Sequence, residues 1–216
     1  SYRTIDRLSV EMTRGTSVAS WIDGEASSTL MDRVTAQVVP AELTNKMLEY
    51  CKAKGCDVFF GRVSGLAVDN NVVRGVHIAG LNTPIAADKV VLAMGPWTGV
   101  AAEDWLDISL PMEGIRSTSL VYSILPDIHQ QPYACFCAED AHACHLEIYP
   151  RPDGSVYVCG CGGSDHVTGD RLRQNGDCDH PNRITADAQR VHAAETSLRS
   201  MISALHAQQP SITQVH

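Results

Sequence analysis

The chain is 216 residues long, enough for one full domain or two small ones. It is 44% hydrophobic, 19% charged and 6% aromatic, which supplies a core and excludes a mainly disordered chain. Lys plus Arg is 17 against 25 Asp plus Glu, a formal charge of −8. An acidic chain without a basic run is not a nucleic-acid binder, and no apolar run of about 18 residues offers a membrane span.

The eight cysteines are read as free thiols and not as a disulfide framework, because a chain of this length needs no stapling and no signal peptide precedes it. An intracellular setting, cytoplasmic by default, is the expectation. The first residue is Ser1, so the start is expected to be processed or truncated.

In chain order, residues 39–55 predict a helix. Pro40 suits the first turn, Leu43, Met47, Leu48 and Cys51 share a face, and Gly55 is a left-handed stop. Residues 56–60 predict a short buried strand. An antiparallel meander follows, with strands at 63–68 and 72–78, a further strand led by 84–86, and a turn at Asp69-Asn70-Asn71. The continuous apolar run 89–94 predicts a strand buried on both faces of a parallel sheet. It ends at Gly95-Pro96-Trp97, and a short helix is expected at about 100–105.

From Leu110 the texture changes to strands at 115–125, 133–137, 143–149 and 155–160. Arg151-Pro152-Asp153-Gly154 is a hairpin signal. Residues 162–182 read as a polar loop, and 184–207 as an amphipathic helix with Ala188, Val191, Leu198, Ile202 and Leu205 on one face. The fold class is therefore α/β (α+β), divided into residues 1–104 and a largely β piece, 105–216.

Four constellations could carry chemistry. A glycine beyond the end of strand 89–94 lets a ligand approach the backbone, the alternative being a plain tight turn. Gly61 and Gly65 bracket Val63, whose exposed main chain could meet an adenine; a β-bulge is the alternative. Cys135-x-Cys137 and Cys159-x-Cys161, with nearby histidines, raise zinc, but one intervening residue is short of the usual two to four and fits half-buried strands better. His145, Glu147 and Tyr149 alternate onto one strand face with Arg151 beyond, so a carboxylate, a phenol and a guanidinium could orient a small polar substrate, or simply clothe an exposed face. Gly160-Cys161-Gly162-Gly163-Ser164-Asp165 starts like a dinucleotide fingerprint, but Asp165 replaces the third glycine and no helix is expected to follow, so it is rejected as a cofactor site.

Several stretches, in order, resemble the D-amino-acid-oxidase-like family of FAD-dependent oxidoreductases, which includes glycine and sarcosine oxidases. They are Thr35-Ala36-Gln37-Val38-Val39-Pro40, the Gly61 to Gly65 bend, the strand 87–94 with Gly95-Pro96-Trp97, and Glu147-Ile148-Tyr149-Pro150-Arg151-Pro152-Asp153-Gly154. The resemblance implies an incomplete FAD-binding Rossmann-like domain with a β-meander, and a mainly antiparallel substrate domain. It implies that Val63 offers its backbone to the adenine, and that Ala93, Met94, Gly95 and Trp97 line the ribityl and pyrophosphate. It places Glu147 and Tyr149, with Arg116 as a cation on a neighbouring strand, toward the substrate. An acid there departs from the family's substrate-facing aromatic and favours a cationic amine.

The implied reaction is oxidation of a carbon–nitrogen bond of a small amine or amino acid by hydride transfer to flavin, with oxygen or another acceptor. The family's fingerprint before the first helix is not found, so the chain is expected to be an internal fragment, inactive and a weak FAD binder by itself. A non-catalytic flavin-fold protein acting in partner binding, and a zinc module, are the alternatives.

Overall fold

The computed structural model describes residues 7–13, 21–23, 27–32, 37–123, 133–205 and 212–215. The chain divides into two compact units, one of residues 1–43, 115–165 and 184–216, the other of 44–114 and 166–183. Compared with a single boundary near residue 104, the division is interleaved.

The first unit is built on a seven-stranded sheet. Its strands are β1 (Arg7–Thr13), β2 (Ser27–Asp32), β7 (Thr118–Tyr122), β8 (Ala134–Phe136), β9 (Glu147–Pro150), β10 (Val156–Cys159) and β12 (Ile212–Val215), in the order β12-β7-β10-β9-β8-β1-β2. All neighbours are antiparallel except β1 with β8. The Arg-Pro-Asp-Gly turn closes β9 onto β10 as the sequence predicts. Gly154 takes φ +88°, Arg151 N–H donates to the Ser155 carbonyl at 2.8 Å, and Asp153 Oδ1 accepts from Ser155 Oγ at 2.7 Å.

That hairpin sets a period of two, so β9 and β10 have two unlike faces, whereas β7 is buried on both. Leu120, Tyr122, Ile148, Val156 and Val158 are 0–1% exposed and form the core with Leu198, Ile202 and Leu205. These last belong to α4 (Ala188–Met201) and the short 3₁₀ turn Ser203–Leu205 that follows it. Asp187 caps α4, its Oδ1 accepting from the N–H groups of Gln189 and Arg190 at 2.7 and 3.1 Å. The helix is shorter than residues 184–207, because the cap fixes its start at 187. Ala188 is exposed, and Ala193, Ala194 and Ser197 are buried beside Leu198.

The second unit carries the meander β3 (Val63–Asp69), β4 (Val72–Ile78) and β5 (Ile85–Ala86), with Asn70 and Asn71 at φ 48° and 65° in its turn. Helix α2 (Trp97–Leu106) packs against β3. It starts three residues before the expected position. The span 162–182 is not a plain loop: it holds β11 (Asp165–Val167), which pairs with β6 (Gly114–Arg116), and the one-turn α3 (Gly169–Leu172). Arg173 binds three carboxylates there, those of Glu103, Asp104 and Asp170.

Helix α1 (Pro40–Ala53) forms where predicted, with Gly55 at φ +89°. Its apolar positions bury nothing among the described residues. The two predicted buried strands, 56–60 and 89–94, are corrected: neither joins a ladder, and Phe60 is 91% and Val91 87% exposed. An apolar run becomes a central strand only when both neighbours supply backbone partners, and among the described residues none does. The ends of two other expected elements, 124–125 and 206–207, lie outside the described residues, as do Thr35 and Ala36.

The core and cap predict their own tests. Leu198→Ala is expected to lower unfolding free energy by about 2–5 kcal/mol and Asp187→Ala by about 1 kcal/mol, both measured by urea titration. A Leu198→Ala variant as stable as the parent would contradict the packing described.

Candidate functional site

The half-exposed face of the seven-stranded sheet gathers polar and aromatic side chains in rows fixed by register. Glu147 lies opposite Phe136 on β8 and Cys159 on β10, and Tyr149 lies opposite Tyr157. Tyr149 O–H donates to Glu147 Oε2, and the Cys159 thiol donates to the same oxygen at 3.6 Å. Both donors land on Oε2, and among the described residues no hydrogen bond reaches Oε1. Phe136 meets Tyr149 edge-on with centroids 5.8 Å apart. Tyr149 and Tyr157 lie 6.0 Å apart, and the Arg151 guanidinium sits 5.0 Å over the Tyr157 ring. The result is a carboxylate beside an aromatic wall with a cation at its far end. It can hold a small cation through an ammonium against the carboxylate, with three rings beside it.

Glu147 and Tyr149 are thus brought together. Arg116 stands elsewhere, on β6, outside the seven-stranded sheet, with its guanidinium 2.8 Å from Asp165. His145 precedes β9 and pairs with Glu139 at 3.0 Å on the surface. Sequence reasoning missed Phe136, Tyr157 and Cys159 as companions. The signal for the last two was present: once the turn at residues 151–154 is fixed, counting outward pairs Tyr149 with Tyr157 and Glu147 with Cys159.

Val63, Ala93, Met94, Gly95 and Trp97 all belong to the second unit. Val63 opens β3 beside a register shift that leaves Ser64 out of the ladder. A bulge therefore does occur there, and a Cβ at Gly65 would meet nothing within 4 Å. Ala93 is exposed and Met94 half-buried. Gly95 takes φ +56° with open space where a Cβ would stand. The turn into α2 is held by Met94 N–H on Thr98 Oγ1 at 2.9 Å. Trp97 is anchored through its indole N–H to the Cys178 carbonyl at 3.1 Å.

Six of the eight thiols are buried or half-buried, and those of Cys135, Cys144 and Cys159 donate hydrogen bonds. Burial, then the Glu147 charge, pushes Cys159 up to about 12. Burial and then Asp140 push Cys137 up to about 11, burial and then Cys144 push Cys161 up to about 12, and Cys135 also rises. Burial raises Tyr157 to about 12. Among the described residues no three His, Cys, Asp or Glu side chains form a metal-binding set. No helix among them is long and apolar enough to cross a membrane.

A model of the FAD-dependent oxidoreductase family matches residues 10–214. The chain belongs to that family. Its fold is shared with L-proline dehydrogenase from P. horikoshii (TM-score 0.69, 12% identity, 99% of this chain and 60% of that one). It is shared too with glycine oxidase from Bacillus cereus (0.68, 13%, 99% and 61%) and L-amino acid deaminase from Proteus vulgaris (0.69, 13%, 99% and 64%). The chain therefore spans 60–64% of the length of these three proteins.

The raised thiols and phenols of this flavoprotein-family chain set an alkaline limit. They keep their protons in the fold to higher pH than in the unfolded chain, so their contribution is complete below the unfolded thiol value of about 8.5. It is lost as pH climbs from there toward the folded values. Thermal melts are expected to give a flat Tm from pH 6 to 8 and a falling one from about pH 9 to 11. A Tm unchanged across the alkaline range would contradict the burial of these groups.

Proposed function

We propose that the chain is the substrate-facing part of an enzyme that oxidises a carbon–nitrogen bond of a small amine or amino acid. The observation that carries this reading is Glu147, whose carboxylate is oriented by Tyr149 and Cys159 while one oxygen stays available. A carboxylate attracts an ammonium and repels a phosphate or a second carboxylate. The same fold serves an L-α-glycerophosphate oxidase from Mycoplasma pneumoniae (TM-score 0.63, 11% identity, 99% and 61% of the lengths), so fold alone does not choose the substrate class. The charge of Glu147 favours nitrogen.

The cofactor of the family is FAD. The open backbone at Gly65 and Gly95 fits a nucleotide that comes close to the main chain; Val63, Ala93, Met94, Gly95 and Trp97 would hold it. When bound, the flavin supplies the hydride acceptor. The protein's own residues do the rest. Glu147 fixes the substrate nitrogen, Tyr149 and Cys159 keep its carboxylate in place, and Phe136, Tyr149 and Tyr157 keep water from the reacting carbon. Arg151, over Tyr157, is the cation nearest to hand for a substrate carboxylate, whereas Arg116 is engaged by Asp165. The 216-residue chain by itself is proposed to bind FAD weakly, since its sequence holds no Gly-x-Gly-x-x-Gly turn leading into a helix.

The test is anaerobic. In the flavin-loaded full-length protein, an amine or amino acid is expected to bleach the flavin absorbance, and Glu147→Gln to raise KM for the cationic substrate by about 10–100-fold, the loss of one charge-assisted hydrogen bond. If a panel of amines and amino acids leaves the flavin oxidised, the non-catalytic reading takes its place.

A further inference from the structure

Helix α1 ends in a two-bond turn. Gly55 N–H donates to the Lys52 carbonyl at 3.0 Å and Cys56 N–H to the Cys51 carbonyl at 3.1 Å, with Gly55 in the left-handed region. This is the Schellman arrangement, in which the side chain just past the glycine folds back onto the one that starts the last turn. In this chain those two positions are Cys51 and Cys56. Standard bond lengths on either side of the 3.1 Å hydrogen bond hold their Cα atoms within about 7 Å, and a disulfide spans Cα separations of about 4.4–6.8 Å. Both thiols are free and exposed, whereas the other six cysteines are buried or half-buried. The sequence passes directly from Cys56 through residues 57–60 to the bend at Gly61 and Val63.

We propose that Cys51 and Cys56 are a redox-active pair that closes reversibly to an intrachain disulfide across the end of α1, with hydrogen peroxide as the oxidant. One sulfur, as thiolate, attacks a peroxide oxygen. An S–O bond forms, the O–O bond breaks, and the departing hydroxide takes up a proton to become water. The second sulfur attacks the resulting sulfenic acid, the S–S bond forms, the S–O bond breaks, and a second water leaves. Two thiols lose two electrons and two protons, and one peroxide is reduced to two waters. The closed pair stiffens the turn that hands the chain from α1 to β3. A dithiol reductant reopens it by exchange.

Trypsin reads the outcome directly, because Lys52 and Lys54 lie between the two thiols. The reduced 216-residue chain is exposed to a small excess of hydrogen peroxide, its remaining accessible thiols are blocked with N-ethylmaleimide without denaturant, and the monomer is digested. Peptides 47–52 and 55–62 are expected joined by a disulfide that dithiothreitol releases. In the Cys56→Ser chain Cys51 is expected as a sulfenic acid, captured by dimedone, with no joined pair. Circular dichroism of both chains before oxidation checks that the fold is kept. If the two wild-type peptides run separately, each blocked or singly oxidised, the proposal is wrong. A Cys51 or Cys56 joined to a third cysteine, or joined only between two chains, overturns it equally.

Discussion

One constraint organises the larger unit: the register of β9 against β10. Because strand side chains alternate, the same pairing that turns Ile148 and Val158 into the core turns Glu147, Tyr149, Tyr157 and Cys159 outward. A slip of one residue would drive the Glu147 carboxylate against Leu198 and its neighbours and expose the core set. Burying that unpaired charge costs far more than any one apolar side chain could return by packing there. The stability of the sheet and the orientation of the Glu147 carboxylate are therefore one quantity, not two.

The other unit relies on a different glue. Few of its large apolar side chains are buried, and its order comes from the β3-β4-β5 ladder, from backbone turns and from guanidinium groups. Arg173 gathers Glu103, Asp104 and Asp170, and Arg171 binds Asp177 and the His166 carbonyl. These pairs stand at the surface, where salt screens them and each is worth little alone. Arg173 concentrates three on one planar cation, so that a single side chain loses its conformational freedom for all of them.

Local signals were legible where one residue type does one job. Asn70 and Asn71 take the left-handed turn, Gly55 stops α1, Arg151 to Gly154 close a hairpin, and Leu198, Ile202 and Leu205 seal a core. The family resemblance was legible too, from stretches that are each weak but occur in order. What failed was any reading that needs a distant partner. Residues 56–60 and 89–94 are apolar enough for central strands, but a strand is a property of two segments, and their sequence says nothing of the second. β1 and β2 join the same sheet as β8 and β9, a pairing across more than a hundred residues that no local pattern encodes. Arg116 was placed near Glu147 by analogy between strands; Asp165, which actually holds it, is a partner only the fold supplies.

The exit from β10 has no room for chemistry of its own. At Gly160 and Gly162 a Cβ would collide with the carbonyl oxygens of His145 and Ala143, and both glycines lie at positive φ. Main chain there touches main chain, Gly160 against His145 and Gly162 against Ala143, just before β9 begins at Glu147. That edge of the site is closed to redesign: selection or engineering for a new substrate has to work from Phe136, Tyr157 or Arg151, while the glycine edge can only be kept or broken.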